Sequence, residues 1–243
     1  MKQPLVKYAT SLLEGRYLSR HKRFFVEAQL NGRTVWAHTN NTGSMQGLLA
    51  CGNRVMLSES LNPARKLAYT LELIEAGGVW CGVNTSIPNR MLKAAFAAGR
   101  LEFARNYTQL KMEQALPAGL ALPGGNSRLD ARLGGEGQPD LWVECKNVTL
   151  VENGLALFPD AVTQRGHKHL RQLIALKQKG LRAACFFLVQ RTDASAFAPA
   201  VGIDPEYAAL FWEAFACGVE MYPYTGIVSM AGIDLGAPLP LNC

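Results

Sequence analysis

Residues 141–150 read Leu141-Trp142-Val143-Glu144-Cys145-Lys146-Asn147-Val148-Thr149-Leu150. The segment Leu141 to Lys146 has the composition of a strand, yet two charges interrupt it. Side chains on a strand alternate between faces, so Glu144 and Lys146 project from the same side. Flanked by Trp142, Val143 and Val148, they are unusual so close to a core. Outward from this stretch the chain reads as α/β. Upstream come a helix over Pro88–Ala98, stopped by Gly99, and strands over Leu110–Glu113 and Arg128–Leu133. Downstream, Asp160–Lys179 is amphipathic: Leu170, Leu173, Ile174 and the Lys177 stem form a stripe, and Asp160 reads as the N-cap. Ala183–Val189 is a continuous apolar run, typical of a strand covered on both faces. Pro205–Cys217 is a further helix, stopped by Gly218, and Val219–Tyr224 a last strand. The order is α-β-β-β-α-β-α-β, with a flexible loop expected over residues 117–126.

The first third has a different period. Strands are expected over Arg23–Leu30, Thr34–His38, Arg54–Ser58, Leu67–Ile74 and Val79–Val83. Asn31-Gly32 is a hairpin signal because both residues tolerate positive φ, and Gly77-Gly78 joins another pair. Several short strands at this size suggest a small β-barrel of the oligonucleotide-binding type, although a sandwich gives similar local signals. The expected division is a barrel domain over 1–87 and an α/β domain over 88–243. No internal repeat is visible.

Asp130 stands on a strand one hairpin before Glu144-x-Lys146. An isolated Glu-x-Lys has a second reading, an edge strand with a cross-strand ion pair. In this element order, however, the set has the layout of restriction-endonuclease-like nucleases, which gives it a chemical meaning. Cleaving a phosphodiester requires charge neutralisation and an activated water. Two carboxylates can hold a hard divalent ion, Mg2+ or Mn2+, that supplies both. A lysine adds a fixed positive charge beside the reacting group. Asp130 and Glu144 are the candidate ligands and Lys146 the electrostatic group. Glu113 is a further candidate ligand, or a solvated strand residue. Gln190 reads as a polar strand end.

The net charge is +6, and residues 1–36 hold seven cations against Glu14 and Glu27, which places +5 of it there. A field of this sign suits DNA, single-stranded or branched, as partner. Arg20, Lys22 and Arg23 interleave with Phe24 and Phe25, a pattern that suits phosphate contacts with base stacking. Arg65 and Lys66 add cations in a loop. Arg165 and His169 fall on one side of the long helix, where they could reach phosphates or form a solvated face. Asn41-Thr42-Gly43-Ser44-Met45 reads as a phosphate-wrapping loop or a tight turn. The six cysteines lack metal spacing and read as buried free thiols of a reducing compartment. No run approaches the roughly 18 apolar residues of a membrane span, and no signal peptide is visible, so a cytoplasmic protein without a membrane partner is expected.

Taken together, these segments resemble the sugar fermentation stimulation protein A family. The motifs that carry the resemblance are Gly15-Arg16-Tyr17, Lys22-Arg23-Phe24, the 41–45 loop, Asn62-Pro63-Ala64-Arg65-Lys66, Gly82-Val83-Asn84-Thr85 and Pro88-Asn89, followed by Ser127-Arg128-Leu129-Asp130, Val143 to Leu150, Phe158 to Thr163, Arg165-Gly166 and Lys168-His169-Leu170. The stretch between Glu113 and Ser127 is longer and more apolar than the family pattern. The resemblance implies an oligonucleotide-binding barrel plus a nuclease-like domain whose acidic positions map onto Asp130, Glu144 and Lys146. It also implies DNA binding without strong sequence preference and a regulatory link to sugar, especially maltose, use. An active metal-dependent endonuclease and an oligosaccharide-binding barrel remain alternatives; the cation cluster favours nucleic acid over sugar.

Overall fold

The computed structural model describes residues 3–116 and 128–242, so the loop expected at 117–126 lies outside the described residues. The elements in chain order are β1 (Val6–Lys7), β2 (Leu12–His21), β3 (Phe25–Leu30), β4 (Arg33–His38), β5 (Arg54–Glu59), β6 (Tyr69–Ala76), β7 (Val79–Gly82) and α1 (Ile87–Ala97). They continue with β8 (Gln109–Ala115), β9 (Arg128–Gly135), β10 (Gln138–Val148), β11 (Leu150–Glu152), β12 (Leu155–Phe158) and α2 (Gln164–Gln178). The last are β13 (Arg182–Val189), β14 (Ala196–Pro199), α3 (Pro205–Ala216), β15 (Glu220–Ser229) and β16 (Gly232–Pro238).

Strands β2 to β6 form a barrel. Its sheet runs β4-β3-β2-β5-β6-β7, and β4 lies parallel to β6 through Ala37–Tyr69 and His38–Thr70, which closes it. Period-two burial drives this: on β3, Val26, Ala28 and Leu30 are buried while Gln29 faces water. Val55, Leu57, Leu71 and Ile74 complete the interior. Asn31 (φ 49°) and Gly32 (φ 77°) make the expected tight hairpin. The sequence reading had no strand at β2. Adjacent Leu12 and Leu13 and the half-buried run Leu18 to Arg20 blur its alternation, and Gly15 sits where a Cβ would meet the Gln29 carbonyl at 2.7 Å, so only glycine lets β3 approach.

The second domain is a seven-stranded sheet, ordered β1-β16-β15-β13-β10-β9-β8. Central β13 lies parallel to both β10 and β15. It is covered on both faces, as its apolar run implied. Ala184, Phe186 and Leu188 pack with Met91 and Leu92 of α1. Ala183, Cys185, Phe187 and Val189 pack with Leu170 and Leu173 of α2 and Phe211 of α3. Each buried phenylalanine contributes about 1.5–3 kcal/mol of burial free energy. Two strands were not anticipated at the sheet's edge: β16, which pairs with β15, and β1, which pairs with β16 through Val6–Ile233. A small sheet of β11, β12 and β14 was also missed, because three or four residues carry no readable period.

Two expectations are corrected. Helix α2 begins at Gln164, not at Asp160, and its cap is Thr163, whose hydroxyl accepts from the Gly166 N–H at 3.1 Å. Asp160 crosses to the barrel instead. Cys81, Cys145 and Cys185 are buried, but Cys51 and Cys217 are exposed. No helix among the described residues is long and apolar enough to cross a membrane.

Candidate functional site

Three carboxylates stand in a row across β8, β9 and β10. The β8–β9 register runs Met112–Ala131 and Gln114–Leu129, so Glu113 stands opposite Asp130. One step past the last β9–β10 pair, Ala131–Val143, come Asp130 and Glu144. There the ladder ends, and the Asp130 carboxylate replaces the missing backbone acceptor: Oδ2 accepts from the Cys145 N–H at 2.7 Å. Its Oδ1 accepts from the Asn89 amide on α1 at 2.9 Å. Glu113 is exposed and has φ 52°, a left-handed conformation that costs a non-glycine residue about 1–2 kcal/mol.

Glu144 is the most enclosed of the three, with its side chain 4% exposed. Its Oε1 accepts from Lys146 Nζ at 2.6 Å and from the His169 ring of α2. Arg165 Nε donates to His169 Nε2 at 3.4 Å, so the ring proton belongs on Nδ1, the atom facing Glu144. Oε2 of Glu144 is buried and has no hydrogen-bond partner. The two carboxylates are driven apart electrostatically. Burial, and after it the charge of Glu144, raises the Asp130 pKa. Burial also works to raise Glu144, but the Lys146 ammonium and the His169 bond outweigh it and hold that carboxyl below the usual range. Burial opposes the Lys146 charge, yet Glu144 prevails and its pKa is raised.

These groups line a cavity of about 870 Å³ between the domains. Its α/β side carries Glu113, Asp130, Glu144, Lys146 and Arg165; its barrel side carries Arg23 and residues 40–44. Direct bonds fix the two sides together. The Met45 N–H donates to Asp160 Oδ2 at 2.8 Å, and the Ser44 hydroxyl donates to the Asp160 carbonyl. The Gly82 N–H donates to the Gln190 carbonyl at 2.9 Å, and Gln190 Nε2 donates to the Asn84 carbonyl at 3.1 Å. Gly43 is needed here, since a Cβ would lie 2.5 Å from Asp160 Oδ1. An apolar cavity of about 780 Å³ beside the small sheet, lined by Leu155, Leu157 and Trp212, lacks any such constellation.

The other candidate residues are distributed as follows. Lys22 and Arg23 are exposed at the β2–β3 hairpin tip, and Arg65 and Lys66 lie in the β5–β6 loop. Arg65 donates to the Thr70 hydroxyl at 2.8 Å. Arg20 is placed otherwise than a phosphate contact requires. Its guanidinium donates to the carbonyls of Arg23 (3.0 Å), Gly43 (2.9 Å) and Asn41 (2.6 Å) and so braces the 41–45 loop. His169 is likewise buried against Glu144 rather than offered to solvent. The Asn89 contact with Asp130 and the buried His167–Asp204 pair (2.8 Å) escaped the sequence reading, and Asp160, expected there as a cap, holds the Met45 amide instead. Helical spacing groups His169 with Arg165 on one side of the helix, but does not tell which face meets the strand.

Residues 18–83 match the SfsA N-terminal OB domain, and residues 86–232 match the sugar fermentation stimulation protein RE domain. The sugar fermentation stimulation protein homolog of Maridesulfovibrio salexigens is 50% identical over 243 aligned positions, covering 99% of this chain and 98% of that one. The chain belongs to the sugar fermentation stimulation protein family. The Syntrophobacter fumaroxidans homolog of the family is 50% identical over 236 positions, covering 97% of this chain and 87% of its own. A family structure from Pyrococcus furiosus, described as a complex with Ca2+, superposes with a TM-score of 0.88 at 24% identity over 100% of both chains. At that identity the likeness shows the fold: an oligonucleotide-binding barrel followed by a restriction-endonuclease-like α/β domain.

The donor set fits a hard divalent cation. Glu144 Oε2 is a buried carboxylate oxygen without a partner, beside Asp130 in the same cavity. Among the described residues, no group of three or more His, Cys, Asp or Glu side chains is placed to hold a metal ion. Mg2+ does not need one, because it keeps several waters and takes one or two carboxylates plus substrate oxygens.

Proposed function

We propose that this protein binds DNA through phosphate contacts, without strong sequence preference, and hydrolyses phosphodiesters at the junction cavity. The observation that carries this reading is Glu144: a buried carboxylate with a free oxygen, held by Lys146 and His169, beside Asp130 in a cavity shared by a basic barrel. Asp130 and Glu144, with Glu113 at the rim, would hold Mg2+ or Mn2+. When bound, such an ion lowers the pKa of a coordinated water and polarises a phosphate oxygen. Asn89 and the Cys145 N–H orient Asp130. His169 and Lys146 keep Glu144 ionised and leave Oε2 without a hydrogen-bond partner. The Lys146 ammonium puts fixed positive charge where anionic charge develops, and Arg165 offers a guanidinium to an adjacent phosphate. The relative described with Ca2+ supports a hard-ion site. The family's name supports a role in sugar use; regulation of maltose use through DNA is the finer form of this reading.

Incubation with DNA and Mg2+ or Mn2+ tests the reading. Wild type should cut, and Asp130→Asn should lower cleavage at least about 100-fold while DNA binding, read by anisotropy, holds or improves, because a charge repelling phosphate is gone. Binding should weaken steeply with salt through counterion release. Wild type that neither cuts DNA nor binds a divalent cation by calorimetry would overturn the catalytic part. Absence of binding at low salt would overturn the whole.

A further inference from the structure

Strand selection in this cavity follows from its neighbours on the barrel. Phe24 lies between Arg23, which lines the cavity, and β3; its ring is 44% exposed. His38 ends β4 just before the 40–44 wall, and the two rings lie nearly parallel, 9° apart with centroids 6.5 Å apart. The Thr39 N–H donates to the Phe24 carbonyl at 2.9 Å, which ties together the two chain segments that lead into the cavity wall at Arg23 and Asn40. Burial, and after it the charge of Arg65, lowers the His38 pKa. Lys22 and Arg23 precede Phe24 at the exposed hairpin tip, so cations adjoin an aromatic ring that is continuous in chain with the cavity wall.

The wall itself is neutral and polar: Asn41, Thr42 and Ser44, joined to Asp160. A volume of about 870 Å³ is of the size that encloses a ligand of one or two nucleotides. An exposed ring flanked by cations captures a base by its π-face and its backbone by charge. A closed duplex offers no base face to such a ring. We propose, resting on the reading above, that the site takes unpaired DNA: a single strand or a frayed or tailed end. One base stacks on Phe24, and the next phosphate reaches the Asp130–Glu144 cavity.

The test is anisotropy with EDTA present, using a labelled single strand, its blunt duplex, and the same duplex with an unpaired tail. Wild type should bind the single strand and the tailed duplex at least about ten-fold more tightly than the blunt duplex. Phe24→Ala should weaken those two by about ten-fold and leave the blunt duplex unchanged, and Phe24→Tyr, which keeps the ring, should restore them. Equal or tighter binding of the blunt duplex would overturn the proposal, as would a Phe24→Ala loss shared equally by all three probes. The parent reading fails differently: there, no probe binds at low salt. A protein that prefers and cuts blunt duplex would sink strand selection alone.

Discussion

His169 does more for the site than its own chemistry would suggest. Its ring occupies Oε1 of Glu144 together with Lys146, which leaves Oε2 as the carboxylate oxygen without a hydrogen-bond partner. Hydrogen-bonded partners of ligating carboxylates commonly set metal affinity by 10- to 100-fold. His169→Ala should therefore weaken Mg2+ or Mn2+ binding by about that factor in titration calorimetry, with thermal stability changing far less than the affinity. Unchanged affinity would make the histidine a packing residue only. Asp130, Glu144 and Lys146 were legible in the sequence because charge at strand spacing inside apolar flanks has few explanations. The orientation of His169 was not, since helix periodicity groups residues on a face without saying what that face meets. The left-handed backbone at Glu113 was also hidden: positive φ at a non-glycine residue has no reliable sequence signature.

Helices α2 and α3 meet at one carboxylate, and that junction sets the angle at which Arg165 and His169 are presented. Asp204 caps α3 by accepting from the Tyr207 N–H at 2.9 Å. It also accepts from the Thr163 N–H at 2.9 Å and pairs with buried His167. Burial alone would raise its pKa; the Thr163 and Tyr207 amides and then His167 overcome that and lower it. A depressed carboxylate pKa means stability that is full above the unfolded value near 3.9 and is lost as pH falls through the folded value. Asp204→Ala should cost about 2–3 kcal/mol near neutrality, a lost cap plus a lost charged hydrogen bond. The gap from wild type should narrow in urea titrations as the pH drops below about 4. A pH-independent gap would assign the loss to packing. The sequence showed both helices but put the α2 cap at Asp160, because a side chain that caps a helix and one that grips a distant loop are both acidic residues just before a helical run.

The two domains are joined by polar contacts that converge on Asp160 and the loop it holds. Removing that carboxylate strands the Met45 amide in a part-buried position, which costs about 1–3 kcal/mol. Asp160→Ala should destabilise the protein by that amount and speed hydrogen exchange at the Met45 amide, while the β13 amides stay protected. Exchange that quickens equally in β13 would mean general destabilisation, not a local release. Another joint has a temporal meaning. Strand β1 pairs not with the barrel that follows it but with β16, more than two hundred residues later. On a ribosome the segment ahead of the barrel emerges early, and its hydrogen-bonding partner is among the last elements made. The strands of the barrel sheet pair with one another within residues 12–82 and can close while synthesis continues. Until β16 arrives, the edge of β15 stays open to any passing strand, the state in which nascent chains most readily join their neighbours.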